Sequence, residues 1–115
     1  MRPYPEIDAV ASDPPLHGGI DGTLALMRAV ACTGRGFWLR STWELGIAWA
    51  VACHLGVSRG EITRAGQGLI DLVDDDLVLG EPWLVRNGGV APPDRPGLGV
   101  ALDRDALREF AIAAA

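Results

Sequence analysis

The chain contains no lysine; all ten of its basic residues are arginines. That excludes Schiff-base chemistry, a lysine general base and a phosphate-loop lysine. It has only two cysteines, Cys32 and Cys53, each set in a helical apolar pattern, and no CxxC pair or Cys/His cluster that would suggest zinc. Two reduced core thiols are expected, in a cytoplasmic setting. Positive charge is in deficit. With a net charge of -5 and a pI near 4.8, neither nucleic acid nor an anionic membrane surface is an expected partner. No apolar run is long enough to span a bilayer, and no basic-then-apolar leader opens the chain. What is present is apolar material. Hydrophobic residues make up 49% of 115 residues, enough for one cored domain and too much for a disordered chain.

The stretch Gly36 to Ala50, GFWLRSTWELGIAWA, organises the rest. Phe37-Trp38-Leu39 reads as an apolar strand, and Arg40-Ser41-Thr42 as a polar turn. A helix from about Trp43 to Leu55 follows, apolar at Leu45, Ile47, Ala48, Val51, Ala52 and Leu55 and closed by Gly56. Upstream, Met1 to Pro5 reads as an extended arm, and Ile7 to Ala11 as a buried parallel strand ended by Ser12-Asp13-Pro14-Pro15. Asp21 is expected to cap a helix through Ala31, with Gly34 at its end. The order β-α-β-α predicts parallel neighbouring strands. Asp13 and Arg40 then stand at equivalent strand ends, about 4.8 Å apart in strand spacing and within ion-pair reach.

The remainder is more broken. Glu61 to Ala65 is expected as one more short strand and Gly66-Gln67-Gly68 as a loop. Asp74-Asp75-Asp76 lacks the spaced ligands of a calcium loop and reads as a solvated turn or helix start. Trp83 to Val90 predicts a hairpin about Asn87-Gly88. Pro92 to Gly97 reads as rigid coil and Gly99 to Ala101 as extended. Asp103 is expected to cap a last helix, from Arg104 to about Ile112.

Three strings carry a resemblance: SDPPLHGGI, FWLRSTWELGIAWAVACHL and DDDLVLGEPWLVRNGGVAPPDRPGLGVALDRDAL. From about Glu6 to Phe110 the chain resembles the C-terminal part of the enolase superfamily. The mandelate racemase/muconate lactonizing group is closest, and acid-sugar dehydratases such as glucarate dehydratase closer still. The resemblance implies an α/β fold: the last βα units of an enolase-type TIM barrel over residues 1–80, then a C-terminal extension over 81–115 whose hairpin and helix pack on a capping domain. It implies, for the complete enzyme, Mg2+ and removal of the proton α to a carboxylate.

By the same resemblance, Asp13 falls on the aspartate that orients a base histidine, and that histidine's place holds Arg40. Arginine stays protonated; it can pair with Asp13 or hold a substrate carboxylate, but it cannot act as the base. His17 falls where the dehydratases place an aromatic, so it is a candidate substrate contact or an exposed loop histidine. His54 is expected as a satisfied core histidine. The three metal carboxylates and the lysine pair of the family come from earlier strands, so no metal ligand and no cofactor site is expected in these residues.

Four readings follow. The chain is a remnant of a dehydratase-like enzyme, inactive by itself; or one chain of a split enzyme, completed by a partner carrying the metal site; or a non-catalytic module binding a partner, or itself, through exposed barrel edges; or a fold-level likeness in which Asp13–Arg40 is a structural ion pair.

Overall fold

A computed structural model describes residues 4–80, 85–92 and 94–112. Strand β1 (Ala9–Ser12) is followed by a 3-10 turn at Pro14–His17 and helix α1 (Gly19–Ala31). Strand β2 (Gly36–Leu39) and helix α2 (Gly46–Ser58) come next, then a 3-10 turn at Ile70–Leu72 and a short helix α3 (Arg104–Glu109). β1 and β2 pair in parallel, Ala9 opposite Gly36 through Ser12 opposite Leu39. The two βα units expected from the sequence are therefore present. Their apolar faces meet in one core: Met27 and Val30 of α1, Phe37 and Leu39 of β2, and Leu55 of α2, with Val10, Leu24, Val51 and Ile62 packed against it. Burial of such side chains contributes about 1.5–3 kcal/mol each.

The boundaries differ from expectation for identifiable reasons. Helix α1 starts at Gly19, with Gly18 as the capping residue at φ 80°, so Asp21 lies in the first turn and is not the cap. There its carboxylate still complements the helix dipole. Gly22 packs so tightly that a Cβ would stand 1.7 Å from the His17 carbonyl oxygen. Helix α2 starts at Gly46, not Trp43. The Glu44 carboxylate folds back to accept from Ser41 Oγ and from Thr42 N (2.5 Å), and Trp43 takes φ 63°, which a helix cannot contain. The same helix runs through Gly56 to Ser58, because packing of Leu55 into the core outweighs the glycine's weak propensity to stop.

Glu61 to Ala65 forms no strand. Thr63 N bonds to Phe37 O (3.0 Å) and Gln67 N to Leu39 O (2.9 Å), so the segment lies along the outer edge of β2. Four steps of chain there span two steps of β2, and the excess loops out of register. Downstream, Asn87 (φ 53°) and Gly88 (φ 77°) form the expected tight turn, closed by Arg86 and Gly89. Trp83 and Leu84 of the expected hairpin, Met1 to Pro3 of the arm and Pro93 of the coil lie outside the described residues. Residues 77–79 pair antiparallel with 101–103, through Leu79 N to Ala101 O (2.8 Å) and Asp103 N to Leu77 O (2.9 Å). Asp103 caps α3 as expected, accepting from the amides of Asp105 and Ala106 at 2.9 and 3.0 Å; that helix ends at Glu109, short of Ile112.

Candidate functional site

The two strands deliver Asp13 and Arg40 to the same end of the sheet. Arg40 N donates to Ser12 O at 2.9 Å, which carries the parallel ladder one step past β2 and fixes the two residues side by side. Asp13 is 1% exposed, while the Arg40 side chain is 45% exposed. Arg40 Nη2 stands 3.9 Å from Asp13 Oδ2, an ion pair by charge but beyond hydrogen-bond range. The direct donor to that oxygen is Thr42 Oγ1, at 2.5 Å. Asp13 Oδ1 is buried and has no hydrogen-bond partner among the described residues. A buried carboxylate with one oxygen unsatisfied is costly, and a nearby guanidinium lowers that cost.

His17 is exposed, and its ring turns back to the backbone of Asp13 rather than to the carboxylate. Nδ1 lies 2.9 Å from Asp13 O, and 3.3 Å from both Asp13 N and Ser12 Oγ. Nδ1 donates to the carbonyl in one tautomer and accepts from Asp13 N in the other, and in both it bonds the Asp13 backbone. His17 thus closes the Pro14–His17 turn, and the Asp13 carboxylate does not orient its imidazole. The expectation for His54 holds: it is half-buried and bonds through Nε2 to Leu98 O at 3.1 Å, tying α2 to the PGLG segment.

These side chains do not fit a divalent cation. Asp13 offers one carboxylate, whose Oδ2 already faces a hydroxyl and a guanidinium. Among the described residues, no three His, Cys, Asp or Glu side chains cluster as a metal site. The aspartate run is not a cation loop either. Both Asp76 oxygens accept from Gly46 N, at 2.8 and 3.0 Å, and Oδ1 also accepts from Leu77 N at 2.6 Å. Asp76 therefore closes the open N-terminus of α2 from thirty residues away.

Three residues that matter here were not singled out from the sequence: Thr42, Glu44 and Asp76. Ser41-x-x-Glu44 has the spacing of a capping box, a signal that reads directly from sequence. Nothing local marks Thr42 as a partner of Asp13, or Asp76 as the cap of α2. Beside the strand ends, Trp43, Leu45, Leu72, Leu77 and Phe110 line a groove of about 650 Å³ rimmed by Asp74 and Asp75. Trp43 is 60% exposed. Both cysteines are free thiols, but Cys32 at the end of α1 is exposed and not the core thiol expected; Cys53 is half-buried, and burial pushes its thiol up from 9.0 to about 11.

Comparison with known proteins places this arrangement. Residues 5–106 match the model of the family described as enolase C-terminal domain-like. The Streptomyces coelicolor protein named "Probable glucarate dehydratase" is 34% identical over 101 residues, which are 88% of this chain and 23% of that protein. The crystal structure of an isomerase from Streptomyces coelicolor A3(2) superposes with a TM-score of 0.80 at 37% identity, covering 90% of this chain and 27% of that one. An enolase from Thermobispora bispora, complexed with magnesium and formate, gives 0.79 at 32% identity, covering 90% and 25%. The chain thus spans about a quarter of the length of these relatives. With nearly its whole length matched, and its βα units in a barrel's parallel order, the chain belongs to the enolase C-terminal domain-like family of the enolase superfamily.

Proposed function

We propose that these residues are the C-terminal barrel segment of an acid-sugar dehydratase-like enzyme, and that the chain alone is catalytically inactive. One observation carries the reading: the side chain set beside buried Asp13 at the next strand end is Arg40. In α/β barrels that end of the sheet is where chemistry is done. A guanidinium there keeps its proton at neutral pH, so it can stabilise negative charge and cannot abstract a proton. Asp13 supplies a fixed counter-charge to Arg40, and Thr42 holds the Asp13 carboxylate in place. His17, exposed at the same end, is the proposed further substrate contact.

In the complete enzymes of this reading a magnesium ion would supply stabilisation of developing negative charge. The donor set here does not fit one, so no step is assigned to it in this chain. The division at about residue 80, into βα units and a C-terminal extension, belongs to the same proposal, as does a reducing cytoplasmic setting that keeps Cys32 and Cys53 as thiols. No helix among the described residues is long and apolar enough to cross a membrane.

A second reading, completion by another chain carrying the metal site, is favoured by the sheet itself. Among the described residues β1 is paired only with β2, which leaves its other edge open for a preceding strand. Even so completed, Arg40 would confine the chemistry to a base on the opposite face. The purified chain, incubated with Mg2+ and a panel of aldarates and aldonates, is expected to release no 2-keto product. Turnover would overturn the first reading.

A further inference from the structure

We propose that the groove beside Trp43 is a docking site for a basic peptide segment of a partner protein, one that presents an arginine next to an aliphatic side chain. The proposal goes beyond the dehydratase reading and does not rest on it. The groove, of about 650 Å³, has an apolar floor and an acidic rim. Three of its large hydrophobic residues stand in solvent: Trp43 is 60% exposed, Leu72 64% and Phe110 49%. They come from three separate parts of the chain: the turn before α2, the turn at Ile70–Leu72 and the end of α3. Exposed apolar residues that converge in this way mark an interaction surface, which singly scattered ones do not.

The rim decides what fits. Asp74 and Asp75 are exposed, and neither side chain makes a hydrogen bond or ion pair among the described residues. Asp76, the third acid of the run, is committed to Gly46 N and Leu77 N. Among the described residues no arginine lines the groove, and the ion pairs lie elsewhere, at Asp13–Arg40 and Asp105–Arg108. Two uncompensated carboxylates thus stand beside an exposed indole. Their complement is a cation on an apolar stem. A guanidinium stacks on an indole and bonds carboxylates, while its methylenes and an aliphatic neighbour cover Leu72 and Phe110. Glu44 closes the turn on Ser41 and Thr42, so the backbone of Trp43, at φ 63°, is set before a ligand arrives. The chain's net charge of -5 attracts a basic partner at long range.

The test uses the peptide acetyl-Arg-Leu-Leu-amide and its neutral counterpart with citrulline in place of arginine. Each is titrated into the full chain and followed by NMR at the Trp43 indole N–H and the backbone amides of residues 72–75. The arginine peptide is expected to give saturable shifts, with affinity falling several-fold as NaCl rises from about 0.05 to 0.5 M. The citrulline peptide should bind at least about tenfold more weakly. Trp43→Leu removes the ring and should weaken binding about fivefold or more. Because that change can disturb the turn, the double variant Asp74→Asn, Asp75→Asn is measured beside it. It touches no hydrogen bond of the fold and should weaken binding about tenfold. No saturable shift in the parent, equal affinity for the citrulline peptide, or parent affinity in the double variant overturns the proposal. Acetylarginine amide binding as tightly as the peptide overturns the peptide assignment in favour of a small organic cation. None of these results depends on turnover.

Discussion

Replacing Asp76 by alanine is the sharpest test of how this fold is held together. The Asp76 carboxylate accepts from Gly46 N at 2.8 and 3.0 Å and from Leu77 N at 2.6 Å. Asp76→Ala removes a charged acceptor from the first amide of α2, along with its favourable interaction with the helix dipole. Loss of an N-terminal cap costs about 0.5–2 kcal/mol. A hydrogen bond to a charged group contributes about 1.5–3 kcal/mol when its partner stays buried. Gly46 is buried, so its amide cannot turn to water, and a loss of about 2 kcal/mol is expected. With a urea dependence of about 1–1.5 kcal/mol per molar, the unfolding midpoint should fall by about 1.5 M.

The assay is urea unfolding followed by tryptophan fluorescence and far-UV circular dichroism. Asp74→Ala and Asp75→Ala are the controls; both side chains are exposed, and their unfolding free energies should stay within about 0.5 kcal/mol of the parent. Equal midpoints for all three variants would refute the capping role and return the aspartate run to a solvated turn.

Three further outcomes are expected. Gly22→Ala would set a Cβ 1.7 Å from the His17 carbonyl oxygen, so it should cost about 1–3 kcal/mol in urea unfolding; a neutral result would mean the turn yields freely. Arg40→His places an imidazole beside buried Asp13, so its pKa should rise above the usual value of about 6.5 in an NMR titration, yet the purified variant should still show no dehydration; activity would contradict the proposed incompleteness of the site. Cys53, pushed up to about 11 by burial, holds about one thiolate per thousand at pH 8, so iodoacetamide should label exposed Cys32 well before it, read by peptide mass. The unfolded chain gives up this proton from about pH 9 while the native chain keeps it to about 11. Stability should therefore be independent of Cys53 below pH 9 and fall between those values, a slope that Cys53→Ala removes.

What the sequence disclosed was decided locally. The β-branched and aromatic residues of the two strands, the proline pair after Asp13 and the apolar spacing of α1 and α2 each commit their own segment, and parallel pairing follows from their order. The Asp13–Arg40 juxtaposition was legible for the same reason: it needs only two adjacent strand ends. The misread features depend on distant partners. Trp43 and Glu44 are acceptable helix residues by propensity; what excludes them is the turn closed on Ser41 and Thr42, with Asp76 fixing the helix start at Gly46. Glu61 to Ala65 has a strand's composition, but Thr63 and Arg64 both bond to Phe37 O and the bond to Leu39 O waits for Gln67, and composition carries no register. That Thr42, rather than Arg40, makes the hydrogen bond to Asp13 is a matter of side-chain reach that no pattern encodes.

The clasp between Asp76 and Gly46 also sets an order of events during synthesis. The carboxylate that completes the start of α2 is supplied by chain made thirty residues after Gly46. The pairing of 77–79 with 101–103 comes later again. A chain cut short before Asp76 would therefore keep the helix without its closing group.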